Sequence, residues 1–333
     1  MSRPENKQLN KPFKLKPVAK DYIWGGSRLN DDFNFDINIL PFAEAWVCST
    51  HPDGESIVSG TYKTLSEMLG EHPEYLGSHA ASVAGGEFPI LIKLIDAAKD
   101  LSVQVHPDDE YARIHENGSL GKSEMWYVID AKDDASLVYG FKRDMTEETV
   151  RDSISSGTIE KYLNHVDVHK NDLFFINPGT VHAIGAGCLV AEIQESSNLT
   201  YRIYDYKRTD KNGKLRELHV DKAVKVMNMK ASSTPRQPMR VLRYRNGTAS
   251  ELLYRFKYFQ VERILLNTET QRELATFETG SNSFHCLLCI DGCGSISGDD
   301  IAMNFFKGDC IFVPADSVPL RLHGKAQLLN ISC

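Results

Sequence analysis

The sequence has no long apolar run. Its most hydrophobic stretch, Phe88 to Ile95, is interrupted by Lys93 and is far too short to span a bilayer, so no membrane segment is expected. Positive charge is not in excess: 38 Lys and Arg against 45 Asp and Glu leave a net charge of −7, which argues against a nucleic-acid surface. Met1 to Lys16 is polar and lacks an apolar segment, so no signal peptide is expected. Seven cysteines are an odd number; with no export signal, reduced thiols and a cytoplasmic protein are expected. Cys286-x-x-Cys289 has no second CxxC to complete a zinc ribbon, and its two thiols fall on opposite faces of a strand. There is no Gly-x-Ser-x-Gly nucleophile motif. Gly292-Cys-Gly294 reads as a hairpin turn, because no strand–turn–helix unit surrounds it as a dinucleotide loop requires.

What remains is an ordinary globular composition, 41% hydrophobic and 25% charged, in a 333-residue chain that suits two domains. Strand patterns dominate: Glu44–Cys48, Ile90–Ile95, Leu101–His106, Met125–Ile129, Leu137–Phe141, Leu173–Ile176, Cys188–Gln194 and Tyr201–Tyr204. Turn residues separate them closely, as in a sandwich or barrel of antiparallel strands. Short helices are expected after Thr64, whose Thr-Leu-Ser-Glu spacing is a capping box, at 108–118, at 145–166 with a break near Gly157, and at 220–229. Ala231 to Pro238 is small, polar and carries two prolines, so it reads as the linker between residues 1–234 and 235–333. Strands return at Tyr258–Leu265, Phe284–Ile290, Gly294–Ser297, Cys310–Val313 and Leu328–Ile331, with Asp291-Gly292 read as a hairpin.

A weak repeat links the halves. Asp172-Leu-Phe-Phe-Ile-Asn-Pro178 leads to His182, and Asp309-Cys-Ile-Phe-Val-Pro314 leads at the same distance to Val318, which cannot bind metal. The first module is therefore expected to carry a site that the second lacks.

In Leu101-Ser-Val-Gln-Val-His106 the polar residues alternate with apolar ones, so Ser102, Gln104 and His106 share a strand face, Gln104 and His106 about 7 Å apart. Lys122 and Glu124 are likewise two apart, and Pro178-Gly179 bends the chain just before His182. Each histidine alone fits a turn or a core position. Together with Gln104 and Glu124 they form an O, N, O, N set that suits a divalent cation with positions left for substrate. Val190, Glu192 and Gln194 also share a face. An inward Glu192 needs a partner, for which Arg202 is the natural choice, unless Arg202 instead holds an anionic oxygen. His165-Val-Asp-Val-His169 follows a helix on a polar connector and reads as a solvated edge.

Trp24-Gly-Gly, Phe88-Pro-Ile-Leu-Ile-Lys-Leu-Ile-Asp, Leu101-Ser-Val-Gln-Val-His-Pro-Asp-Asp, Lys122-Ser-Glu-Met-Trp-Tyr, Pro178-Gly-Thr-Val-His-Ala-Ile, Glu192-Ile-Gln and Thr200-Tyr-Arg-Ile-Tyr-Asp resemble type I mannose-6-phosphate isomerase in its short bacterial form. The resemblance runs collinearly over most of residues 12 to 230; beyond 235 only a general cupin pattern is left. It implies a mainly β protein of two cupin (jelly-roll) modules and one zinc ion per chain on Gln104, His106, Glu124 and His182. It implies reversible conversion of mannose 6-phosphate to fructose 6-phosphate through an enediol, a step of mannose and carbohydrate metabolism. By the same resemblance Arg202 stabilises the enediolate oxygens, Lys122 and Glu192 serve proton transfer or sugar hydroxyls, and Ser102 and Arg208 face the phosphate. Asn198 stands where some relatives carry an aspartate proposed as a proton carrier, and an amide cannot be a base. The expected partner is a small sugar phosphate, with neither nucleic acid nor membrane, for a monomer or weak homo-oligomer. A non-catalytic sugar-phosphate-binding cupin is the alternative.

Overall fold

The computed structural model describes residues 10–33, 35–209, 213–235, 237–270 and 273–333. Most of the polar segment at 1–16 and Arg236 of the Ala231–Pro238 linker therefore lie outside the described residues. The chain is mainly β, with few and short helices, and every strand pair is antiparallel.

Three sheets are formed by the described residues. One has six strands, in the order Leu173–Ile176, Glu124–Ala131, Cys188–Glu195, Ile90–Ala97, Glu44–Cys48 and Val18–Lys20. A second has five, in the order Tyr201–Tyr204, Val103–Val105, His182–Ile184, Ser136–Phe141 and Leu163–Asp167. The third has ten and is built mostly from residues beyond 243. It is extended by the Phe13–Lys16 strand, where Phe13 pairs with Phe312 and Leu15 with Cys310, and then by the edge strand Ile57–Val58, where Val58 pairs with Leu15.

Side-chain alternation explains the layering. Ile90, Ile92 and Leu94 pack with Val261, Leu288 and Phe312 of the ten-stranded sheet. Ile95 and Ala97, from the other face of the same strand, pack with Trp126, Leu137 and Ile184 between the six- and five-stranded sheets. A strand buried on both faces reads as a continuous apolar run, which is why Ile90–Ala97 shows no alternation. The far face of the five-stranded sheet is covered by the helices Glu147–Ser155 and Val220–Val226.

The helix after Thr64 spans Leu65–Glu71, with both bonds of the capping box present. Asp108 caps Asp109–His115 through the backbone N–H of Tyr111. Two expectations need correction. The 145–166 segment is helical only to Ser155; after a 3-10 turn, Leu163–Asp167 is an edge strand paired with Ser136–Phe141. Its buried Leu163 and Val166 are three apart, a spacing that reads as helix, and the pairing partner decides otherwise. Asp291-Gly292 is no hairpin, and neither is Gly292-Cys-Gly294. His285–Gly298 is one strand carrying a bulge at this point, and the chain reverses beyond Gly298. Gly292 has φ +76°, and a Cβ there would meet Lys325 O at 2.1 Å. Bulge and turn ask for the same residue, so the dipeptide alone does not separate them.

The repeat is visible in three dimensions. Asp172 accepts the backbone N–H of His169, and Asp309 accepts that of Phe306, each from three residues back, and each aspartate opens a buried strand. Where the first module places His182, the second buries Val318.

Candidate active site

Sheet register assembles the site as two facing rows. Across the five-stranded sheet, Tyr139, His182, Gln104 and Arg202 stand opposite one another in turn. Across the six-stranded sheet the row is Trp126, Glu192, Lys93 and Trp46. The backbone N–H of Gly179, at φ +84°, donates to His106 O, so the expected bend after Pro178 ties the His182 approach to the His106 loop.

His106, Glu124 and His182 are fully buried and offer one ligand atom each, all within 4.8 Å of one another. The His106 Nε2 to Glu124 Oε1 distance is 3.2 Å, and His182 Nε2 lies 3.8 Å from Glu124 Oε2 and 3.4 Å from the Gln104 amide nitrogen. His182 Nδ1 lies 2.8 Å from Thr180 O, a pure acceptor, so the proton is on Nδ1 and the Nε2 lone pair faces the cluster. Burial pushes the His106 imidazole down to about 3, and burial lowers His182 as well, so both rings are neutral, as metal ligands must be. Burial would raise Glu124, but Lys122 and the two imidazoles hold it well below the carboxylate range. Both His106 ring nitrogens are buried without a hydrogen-bond partner. Unsatisfied polar atoms of this kind cost free energy unless something binds them. With Lys93 and Lys122 against Glu44, Glu124 and Glu192, the side-chain charge is two positive and three negative, a deficit that a divalent cation would reverse.

Beside the cluster opens a cavity of about 190 Å³ lined by Ser102, Gln104, Lys122, Glu192, Arg202 and Arg216, among others. Lys122 Nζ bonds Glu124 at 2.9 Å. Glu192 does not pair with Arg202, as the sequence suggested. It takes Lys93 Nζ at 2.8 Å and Trp126 Nε1 at 2.9 Å, because Lys93 stands directly opposite it in the sheet. Trp126 Nε1 also donates to Glu124, joining the two carboxylates. Burial and Glu124 push the Glu192 carboxyl up against the pull of Lys93. Arg202 donates to Ser102 Oγ at 3.2 Å and to Glu217 O at 3.0 Å, and it has no carboxylate partner among the described residues. Arg208 is not in the cavity lining; its guanidinium holds Asp205 and the backbone oxygen of Asp100. Asn198 lines the cavity and donates to Asp53 Oδ2 at 2.8 Å.

Lys93, Trp126 and Arg216 were not singled out from the sequence. For Lys93 there was a signal, a lone charge inside an otherwise apolar run. For Trp126 the signal was its place two residues after Glu124 in the same expected strand; Arg216 carried none. The remaining histidine-rich segment runs from His165 on the edge strand to His169 in the loop after it, with both residues exposed. Cys286 and Cys289 are buried in different core clusters on opposite faces of their strand, as free thiols.

Comparison with known proteins adds a family, a sequence relative and two solved structures. Residues 12–127 match the family described as phosphomannose isomerase type I, catalytic domain, and residues 251–332 match the mannose-6-phosphate isomerase cupin domain. The chain is 38% identical to the mannose-6-phosphate isomerase ManA of Bacillus subtilis, covering 96% of this chain and 98% of that protein. The crystal structure of the mannose 6-phosphate isomerase from Bacillus subtilis superposes with a TM-score of 0.85 at 35% identity, over 97% of this chain and all (100%) of that one. A mannose 6-phosphate isomerase bound with zinc and yttrium shares the fold at 16% identity, with a TM-score of 0.75 over 97% of this chain and 99% of that one.

Proposed function

This chain belongs to the type I mannose-6-phosphate isomerase family, and we propose that the cavity between its two amino-terminal sheets is a metal-assisted isomerase site. The protein is an enzyme that interconverts mannose 6-phosphate and fructose 6-phosphate. The observation that carries the reading of the site is the buried ligand cluster of His106, Glu124 and His182, with both His106 ring nitrogens unpaired, beside a cationic cavity.

Gln104, His106, Glu124 and His182 would hold one divalent cation per chain, which we take to be zinc. When bound, it supplies a Lewis acid that polarises a sugar oxygen. The remaining chemistry belongs to the chain. The reaction moves one proton between adjacent carbons of the open-chain sugar. A base takes the C2 hydrogen as a proton; the C2–H pair becomes the C1=C2 bond, and the carbonyl pair moves to O1. The same proton is then returned to C1, O1 gains a proton and O2 loses one, leaving the carbonyl at C2. Glu192 suits the base, because its raised pKa makes it more basic than an exposed carboxylate. Lys122 donates to a sugar oxygen. Arg202, uncompensated by any bonded carboxylate, faces the charge that builds on the enediolate oxygens, where a preorganised donor in a dry site acts most strongly. Ser102 is placed for the phosphate end. A cytoplasmic location and a monomer or weak homo-oligomer complete the proposal.

The test is turnover of mannose 6-phosphate by two variants with metal analysis of each. His182→Ala should lose both metal and turnover. Arg202→Gln should keep the metal while kcat falls by about 10²- to 10³-fold. Full turnover in Arg202→Gln would remove that residue from its role, and a metal-replete His182→Ala would remove the ligand set.

A further inference from the structure

Lys122 is buried against Glu124, yet no sheet holds its backbone. The Glu124–Ala131 strand begins only after it, where Glu124 pairs with Ile176 on one side and Gln194 on the other. The residues just before that strand are tied down from outside, one polar group at a time. Ser197 Oγ donates to Leu120 O at 3.0 Å, and Gly121 N donates to Asp109 Oδ1 at 3.1 Å. Lys122 N donates to Pro107 O at 3.1 Å, and Ser123 N donates to Glu195 Oε1 at 2.8 Å. The segment is also pressed onto the start of the Asp109–His115 helix: a Cβ on Gly121 would meet Asp108 C and Asp109 N at 2.5 Å. Asp109 is gripped in turn from the ten-stranded sheet, by the loop between strands Thr248–Arg255 and Gln260–Asn267. Tyr258 Oη donates to Asp109 Oδ2 at 2.6 Å, and Lys257 Nζ donates to the same oxygen at 3.1 Å and to Tyr258 Oη at 2.6 Å. Tyr258 is buried, and Phe256 N closes the loop on Phe259 O at 2.8 Å. Burial alone would raise the Asp109 carboxyl; Tyr258, Glu195, Lys257 and the Gly121 N–H hold it low, so it remains an ionised acceptor.

We propose that Asp109, held by Tyr258 and Lys257, is a positioning residue for Lys122, so that the carboxy-terminal part of the chain sets the geometry of a site whose walls it does not form. This rests on the isomerase reading above, in which Lys122 donates to a sugar oxygen. The cavity is lined by residues between Tyr22 and Arg216, whereas Lys257 and Tyr258 belong to the stretch that matches the cupin domain. The two oxygens of Asp109 divide the work: Oδ1 takes the segment that leads into Lys122, and Oδ2 takes the loop. A charged acceptor makes each of these bonds stronger than a neutral one would. A catalytic group must stand within about 0.5 Å of its productive place, and a misplacement of about 1 Å costs about 10²-fold in rate. Glu124 has strand partners on both sides and does not depend on the clamp, so the clamp acts on Lys122 and leaves the ligand set in place.

The experiment compares Tyr258→Phe and the double variant Tyr258→Phe/Lys257→Met with the parent, each as the full chain loaded with metal. It measures kcat and KM for mannose 6-phosphate, metal per chain, melting temperature, and hydrogen exchange of the Gly121, Lys122 and Ser123 amides. The double variant removes both outside donors from Asp109 and leaves every bond between Asp109, Glu195 and the Lys122 segment available. It should stay folded with its metal, lose about tenfold in kcat with KM changed by less than about threefold, and exchange the three amides about tenfold faster. Tyr258→Phe, which keeps Lys257 donating, should lose about threefold in kcat. A metal-loaded double variant with kcat within about twofold of the parent would overturn the proposal, and a lowered melting temperature beside it would make the contact a structural one only. A loss of kcat in proportion to lost metal would overturn it too, because the effect would then lie in the ligands. If the parent does not turn over mannose 6-phosphate, the isomerase reading fails, and the amide exchange still decides whether Tyr258 and Lys257 fasten the Lys122 segment.

Discussion

Lys93 shows how a single residue carries the inner wall of the site. It is fully buried, pairs with Glu192 at 2.8 Å, lies 4.0 Å from Glu44, and is held charged because these carboxylates outweigh the cost of burial. Trp46 fixes Glu44 from the other side through Nε1 at 2.7 Å. Lys93→Met keeps the volume but leaves two buried carboxylates without their cation. Removing one partner of a buried ion pair costs about 3–5 kcal/mol. The melting temperature should therefore fall, and metal should be retained because no ligand is touched. Glu192, already raised, would rise further. A raised carboxyl favours the folded state while it is protonated and loses that benefit as pH increases. The deficit of Lys93→Met against the parent should thus be larger at pH 8 than at pH 5, read by thermal unfolding at both. A pH-independent deficit would mean that the lost packing, not the lost charge, was responsible.

Elements meet at a second buried acid outside the cavity. Glu195 ends the Cys188–Glu195 strand and accepts the backbone N–H of Ser123. It faces Asp109 in the first turn of the Asp109–His115 helix, and Asp109 in turn takes Tyr258 and Lys257 from the loop between strands Thr248–Arg255 and Gln260–Asn267. Burial, then the nearby Asp109, pushes Glu195 up to about 8 from 4.5. One proton serves the pair, carried by Glu195, whose Oε2 otherwise has no partner. The folded state binds that proton more tightly than the unfolded chain does. Its contribution is full below about 4.5 and is lost as pH rises toward 8 and beyond. Glu195→Gln supplies a permanently neutral donor. Its melting temperature relative to the parent should improve steadily between pH 5 and pH 9. A flat difference over that range would show that Glu195 is ionised throughout.

The same scale shows how much could be read in advance. The alternation of Leu101–His106 placed Gln104 and His106 on one face, and the folded strand keeps Gln104 inward between Val103 and Val105. The capping box at Thr64 and the aspartate cap at 108 are local chemistry, and local chemistry is legible. What failed depended on a partner elsewhere. Leu163–Asp167 becomes a strand because Ser136–Phe141 offers an edge, and Phe13–Lys16 because Cys310–Val313 does. Lys93 could be suspected as a charge in an apolar run, but its pairing with Glu192 in place of Arg202 is a matter of register, which spacing along one strand does not contain. Arg216 lies in a polar stretch of no periodicity and is recruited only by Asp205.

The whole molecule explains why the site can be so deeply buried. The six-stranded sheet has the site and one apolar cluster on one face and the larger cluster, shared with the ten-stranded sheet, on the other. We propose residues 1–234 and 235–333 as the two modules, with Phe13–Lys16 crossing to complete the sheet of the second. The second module then backs the catalytic sheet, and Val318 stands in its core where the first module has His182. The central claim is that four side chains from three separated segments serve one cation that the reaction requires. It is tested most directly by assaying mannose 6-phosphate turnover before and after exhaustive chelation, with metal counted per chain at each stage. The account predicts about one divalent ion per chain, loss of turnover with its removal, and recovery when zinc is restored to the folded protein. Undiminished turnover by the metal-free chain would contradict it.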